Sequence, residues 1–174
     1  KLIGSNINVK GSVHFGIGVD YLSIVTFSNS KVEKCGLACC AVTGNSRLAA
    51  LSSEFGETTS YHIIAEVGSS ITCNKCQFHD SEDISIISED ESSLAIADCS
   101  FKDLKKCGVA FHASKNNVII NCTFENVKDT CIFSEQANVS IQKSRITSCT
   151  GNGINMCNES EGEVIDTVIE KTSW

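Results

Sequence analysis

One recurrence governs what this chain can fold into. Phe27, Phe55, Phe78, Phe101, Phe124, Ile146 and Ile169 form a series with spacings of 28, 23, 23, 23, 22 and 23 residues. Five residues before each stands a second, mostly apolar series: Leu22, Ala50, Cys73, Ile96, Ile119, Ile141 and Val164. Eight residues after Phe55 and its successors comes a third: Ile63, Ile86, Val109, Ile132 and Ile154. Three apolar columns that hold register through five repeats mark a solenoid, where each repeat buries its apolar face against its neighbours.

Within a repeat the apolar residues alternate, as at Cys99 and Phe101, Cys122 and Phe124, or Val109 and Phe111. A period of two means strands with one buried face. Polar clusters such as Lys115-Asn116-Asn117 separate these short runs. The Leu-x-x-Leu-x-Leu pattern of leucine-rich repeats is absent, and so are the longer 3.6-period segments of helical repeats. The expected fold is therefore all-β: three short strands per repeat, coiled into a single-stranded parallel solenoid of about seven rungs. At about 4.8 Å per rung the rod is roughly 30–35 Å long.

The phrases Ser93-Leu94-Ala95-Ile96-Ala97-Asp98-Cys99-Ser100-Phe101-Lys102-Asp103 and Asn117-Val118-Ile119-Ile120-Asn121-Cys122-Thr123-Phe124-Glu125-Asn126 resemble right-handed parallel β-helix repeats. That pectin lyase-like family includes pectin-degrading lyases and hydrolases, phage tailspikes, and interaction domains attached to F-box and Shc-binding proteins. The resemblance implies the architecture and leaves activity open, because one coil carries enzymes and scaffolds alike. It also implies a stacked Asn in the first turn. Here Lys75, Asp98, Asn121, Lys143 and Asp166 stand there, so an Asn ladder is interrupted at Lys75 and Lys143. Residues 1–174 read as one domain and as part of a longer chain, with irregular first rungs over 1–45 and regular repeats over 46–174. A bare terminal rung exposes unpaired backbone, which predicts end-to-end or capped assembly.

Composition narrows the partners. With 14 basic and 21 acidic residues the net charge is −7, which argues against a nucleic-acid partner. No apolar run approaches the length that membrane insertion needs. The 11 cysteines are an odd number. Cys76, Cys99 and Cys122 precede the Phe column by two residues and should stack inward, and Cys35 and Cys107 likewise face the interior. Buried thiols act as small hydrophobes, so most are expected to be reduced, in an intracellular compartment. The acceptor triplets at Asn121, Asn138 and Asn158 are the counter-argument for secretion. Cys73-Asn74-Lys75-Cys76 is a lone C-x-x-C without the second pair that a structural zinc site wants, so neither metal nor cofactor is expected.

In a coil, residues one repeat apart become neighbours, and chemistry is sought in columns. One column holds Glu66, Glu89, His112, Glu135 and Cys157; another holds Asn29, Glu57, Asp80, Asp103, Asn126 and Ser148. Paired carboxylates about 5–5.5 Å or 6.5–9.5 Å apart serve retaining and inverting glycosidases respectively, which makes Asp80, Asp103 and His112 the candidates for catalysis. Turn positions favour Asp and Asn for local reasons, however. The pectin-enzyme set is incomplete too: Arg145-Ile146-Thr147 is present, but no Asp-Asp pair or Gly-His, and Trp174 is the only tryptophan. Two functions result. The first is a non-catalytic interaction or scaffold module whose Glu66, Glu89, His112 and Glu135 face docks a protein partner. The second is a polysaccharide-binding or polysaccharide-degrading module using Asp80, Asp103 or the His112 column.

Overall fold

The structure is a computed structural model that describes residues 1–172; Trp174 lies outside the described residues. Among the described residues twenty-three strands form three parallel sheets. Sheet A stacks the first strand of each rung, from Leu2–Ser5 and Ile24–Ser28 through to Glu161–Ile165. Sheet B stacks the second, from Asn8–Lys10 and Lys31–Cys35 through to Val168–Thr172. Sheet C stacks the third, from Phe15–Val19 and Ala38–Val42 through to Ile154–Cys157. No helix among the described residues is long and apolar enough to cross a membrane.

The interior includes the three predicted columns. Cys73, Ile96, Ile119 and Ile141 pair in sheet A, Phe55, Phe78, Phe101 and Phe124 in sheet B, and Ile63, Ile86, Val109 and Ile132 in sheet C. All twelve are at most 1% exposed. The rings of Phe55, Phe78, Phe101 and Phe124 stack with centroids 4.8, 4.8 and 4.6 Å apart. Burying each Phe contributes about 1.5–3 kcal/mol, and each ring contact about 0.5–1.5 kcal/mol more.

The first rungs correct the sequence reading. Phe27 pairs with Ala50 in sheet A, and Val32 pairs with Phe55 in sheet B. The 28-residue step from Phe27 to Phe55 is therefore not a rung. Register is 23 residues from Leu2↔Val25 through Val25↔Leu48 and onward, so residues 1–45 coil as regularly as the rest. Leu22 is 76% exposed and belongs to no inner column. Phe27 imitates a member of the Phe series because its ring, though on another sheet, lies 6.0 Å from that of Phe55. For the same reason Lys34, not Asn29, heads the Glu57–Asp80–Asp103 column, and its Nζ lies 3.2 Å from Glu57 Oε2.

The turns hold a second regularity. At the corner between sheets A and B, Asn29, Lys75, Asp98, Asn121, Lys143 and Asp166 all have positive φ. Asn and Asp enter that region most readily among residues with a side chain, which explains their frequency there. Asn121 Nδ2 donates to Asp98 Oδ1 (2.6 Å) within this column, and a longer ladder runs through the next residue. Ser30 N–H donates to Ser53 Oγ (3.2 Å), Cys76 N–H to Cys99 Sγ (3.4 Å), Cys122 N–H to Ser144 Oγ (3.2 Å) and Ser144 N–H to Thr167 Oγ1 (3.3 Å). Each of these side chains donates in turn to the carbonyl two residues back, as Ser53 does to Leu51 and Cys99 to Ala97. A matching ladder at the corner between sheets C and A runs from Ser23 N–H to Ser46, Ser46 N–H to Ser69 and Ser69 N–H to Ser92. Backbone donors buried at the corners are satisfied in this way, mostly by Ser, Cys and Thr, with Asn117 accepting from Leu94 N–H at the corner between sheets C and A.

Candidate functional site

Sheet C carries two outward rows. Glu66, Glu89, His112 and Glu135 each follow the last inward residue of their strand, and the register aligns His112 with Glu135. The expected column is thus assembled. His112 Nε2 lies 3.7 Å from Glu135 Oε2, and Asn158 Nδ2 donates to Glu135 Oε1. Burial pushes the Glu89 carboxyl above its usual range, and the neighbouring Glu66 adds to the shift. Among the described residues no Lys or Arg lies within salt-bridge distance of Glu66 or Glu89.

Beside that row runs an apolar one that sequence reasoning missed: Ile64, Ile87, Ala110 and Phe133, in register from strand to strand. With Tyr61, Ile84 and Cys107 they form a cluster separate from the main core. Ile87 and Ala110 are only 7% and 4% exposed, because their outward side chains pack against each other, while Ile64 and Phe133 remain partly open. Its far edge is charged, with Lys106 Nζ 3.1 Å from Asp83 Oδ1. The available signal was the apolar dipeptide recurring at the third column: Ile63-Ile64, Ile86-Ile87, Val109-Ala110 and Ile132-Phe133. In a strand one member of each pair must face outward.

Asp80 and Asp103 lie on sheet B, at positions with positive φ of 58° and 54°. Their carboxylates are engaged separately. Asp103 accepts from Asn126 Nδ2, whereas Asp80 Oδ2 is 2.7 Å from His79 Nδ1. His79 was not singled out from the sequence, yet it joins two carboxylates, with its Nε2 3.1 Å from Glu54 Oε1. Lys31 Nζ reaches the same Glu54 oxygen at 2.7 Å and Glu33 at 2.9 Å. Burial opposes the charged imidazole, but Asp80 and Glu54 outweigh it and raise the His79 pKa. Lys31, then burial in opposition and His79, leave the Glu54 carboxyl below its usual range. Lys31 and Lys10 hold Glu33 down to about 2. Lys31 and Glu54 also line a shallow open groove of about 530 Å³ together with Asn8, Ser30, Ser52 and Gln77. Sheet B therefore carries a cluster of paired charges around Lys31, Glu54 and His79, whereas Glu66 and Glu89 on sheet C have no basic partner within salt-bridge distance among the described residues. No three His, Cys, Asp or Glu side chains among the described residues are placed to share a metal ion.

All eleven cysteines are free thiols. Ten are buried, including Cys73 and Cys76, and Cys157 is partly exposed. Burial pushes the Cys40 and Cys107 thiols well above their ordinary value. Cys107 lies beneath the apolar cluster of sheet C rather than in the coil interior where it was expected.

These features define a right-handed parallel β-helix. The family model described as a right handed beta helix region matches residues 2–134 and 61–173, and the chain belongs to that family. No curated protein matches it by sequence. Among solved structures it is similar to the A-module of the mannuronan C-5 epimerase AlgE4 from Azotobacter vinelandii, at a TM-score of 0.70 and 14% identity. That alignment covers 97% of this chain and 55% of the module, so the chain spans little more than half its relative's length. A candidate glycosyl hydrolase from Parabacteroides merdae ATCC 43184 aligns at a TM-score of 0.43 and 9% identity, over 95% of this chain and 80% of that one.

Proposed function

We propose that this chain is a protein-interaction module whose docking face is the outer surface of sheet C. The observation that carries this reading is the apolar row Ile64–Ile87–Ala110–Phe133 rimmed by the unpaired acids Glu66 and Glu89 and by Glu135. An apolar centre with a charged rim is the anatomy of a protein interface. Charge complementarity names the occupant: a basic amphipathic segment that places apolar side chains on the row and Lys or Arg over the acids. A cation there offsets the burial and the repulsion from Glu66 that raise the Glu89 carboxyl. Eleven unpaired thiols suit a reducing, intracellular setting.

A labelled peptide alternating leucine with lysine is the probe, followed by fluorescence anisotropy. Binding should weaken with salt and fall about tenfold or more, about 1.4 kcal/mol, in the double variant Glu89→Lys/Glu135→Lys. It should also fall in Phe133→Ser. No binding, or binding indifferent to both variants, overturns the reading.

A second reading rests on His79. An imidazole held between two carboxylates is a general acid–base arrangement, and the epimerase module shares the coil. On this reading Glu54, His79 and Asp80 would act on a polysaccharide lying across sheet B. Activity on a panel of uronate polysaccharides, lost in both His79→Gln and Asp80→Asn with folding intact, would favour it over docking.

A further inference from the structure

We propose that Cys131 and Cys149 are an oxidation site that closes into a disulfide between adjacent rungs. Cys149 ends the sheet B strand Arg145–Cys149, and Cys131 immediately precedes the sheet C strand Ile132–Glu135 of the rung before. Their sulfur atoms meet at 2.8 Å, nearer than unbonded sulfurs ordinarily approach. The contact is local to this corner, because one rung earlier the register places Gly108 and Val127 at the matching positions. Cys149 Sγ also faces the Asp129 and Asn152 carbonyls at 2.9 and 3.3 Å, as Cys76, Cys99 and Cys122 face carbonyls of the ladder, and the direct contact between two sulfurs is what sets this pair apart.

The two thiols are chemically unequal. Cys131 donates to Cys149 Sγ, and this hydrogen bond draws the Cys149 thiol below its ordinary value although burial opposes it. The Gly151 and Cys131 backbone also favours the Cys149 thiolate. Cys131 is pushed up by the same contact. With Cys131 fully buried, the direction of these shifts and a place beside the surface make Cys149 the attacking sulfur. It is 2% exposed but adjoins Thr150, which is exposed, so a small oxidant suits it better than a bulky one.

The oxidant is a hydroperoxide, and the steps balance. Cys149 thiolate attacks one peroxide oxygen, an S–O bond forms, the O–O bond breaks, and the departing hydroxide takes a proton to leave as water. Cys131 sulfur then attacks the Cys149 sulfenic acid, giving up its proton to the hydroxide it displaces. Two thiols and one hydrogen peroxide become one disulfide and two waters. The bond would tie sheet B of one rung to sheet C of the previous one.

The test treats the folded chain with hydrogen peroxide, alkylates remaining thiols, and maps peptides without reductant. The expected product is a single Cys131–Cys149 linked peptide, with the other nine cysteines alkylated and a melting temperature that rises and returns on reduction. Cys149→Thr, with the residue that the next rung places beside it at Thr172, should abolish the linkage without loss of folding. Cys131→Ser should leave a sulfenic acid on Cys149 that dimedone traps. Full alkylation of all eleven cysteines, a linkage between other cysteines, or a dimedone adduct on Cys131 in Cys149→Thr would each overturn the assignment.

Discussion

The imidazole of His79 occupies the space that a Cβ on Gly56 would need: such an atom would stand 2.6 Å from His79 Cε1. The two residues are paired neighbours in sheet B, and the missing side chain lets the ring lie flat between Glu54 and Asp80. Gly56→Ala should therefore displace the ring and break both contacts. His79, now raised, should titrate closer to an ordinary histidine, which nuclear magnetic resonance of its ring protons can follow. The sign for stability follows from the raised value. The contribution is fully present below the ordinary histidine pKa and is lost as pH rises through the folded one. Gly56→Ala should accordingly cost more stability at pH 5 than at pH 8, and an unaltered His79 titration would sink the account.

Phe101 sits between Phe78 and Phe124 at centroid distances of 4.8 and 4.6 Å and is 1% exposed. Phe101→Ala should cost about 3–5 kcal/mol, as truncating a buried aromatic does. Phe101→Asp should leave an uncompensated buried charge and abolish folding. Urea denaturation checks the first, and loss of the β circular dichroism signal checks the second.

The columns were legible because most inward positions of the coil are apolar and recur at intervals of one rung. Phe27 misled because aromatic identity was followed where only inwardness mattered, and Val32 satisfies inwardness without a ring. The serine ladders were hidden because serine between strands reads as ordinary turn composition, and only stacking turns each hydroxyl into the next rung's partner. The acidic column was found by counting. The apolar row beside it was not, since Ile64 and Ile87 adjoin core residues and resemble them. His79 escaped because its partner Glu54 is 25 residues away and its place depends on an absent Cβ.

His62 is fully buried, with Nε2 3.0 Å from the His79 carbonyl and Nδ1 2.7 Å from Ser85 Oγ. A carbonyl only accepts, so Nε2–H donates to it and Nδ1 accepts from the serine. Burial lowers the His62 pKa from 6.5 to about 3. Unfolding therefore takes up a proton between those values, and stability present above pH 6.5 is lost as pH falls. The slope from this group approaches about 1.4 kcal/mol per pH unit. Replacing it by His62→Gln should reduce proton uptake on unfolding by about one across that window. An unchanged pH dependence would count against a neutral buried imidazole.

Ser53 Oγ accepts from Ser30 N–H and donates to the Leu51 carbonyl. Ser53→Ala leaves a buried N–H without its acceptor and should cost about 1–3 kcal/mol. Ser53→Cys should recover most of that loss, because Cys99 already fills the equivalent role for Cys76 N–H at 3.4 Å. The comparison isolates the ladder from side-chain volume, and equal destabilisation by both variants would refute it.

Ser88 and Ser134 point inward from the same column of sheet C, with Phe111 between them. Their hydroxyls differ in one respect. Ser134 Oγ donates to Ser160 Oγ at 3.2 Å, whereas Ser88 Oγ is, among the described residues, the one buried side-chain polar atom with no hydrogen-bond partner. An unsatisfied buried hydroxyl costs about 1–3 kcal/mol, and deleting it removes that cost along with one small atom. Ser88→Ala should therefore stabilise the coil by about 1 kcal/mol, raising Tm by about 2–4 °C. Ser134→Ala should do the opposite, since it removes a hydrogen bond that is made and leaves Ser160 Oγ only the Ala137 N–H. Thermal melts of the two variants beside the parent chain check the pair. A Ser88→Ala chain that melts below the parent would mean that the hydroxyl has a partner in solution.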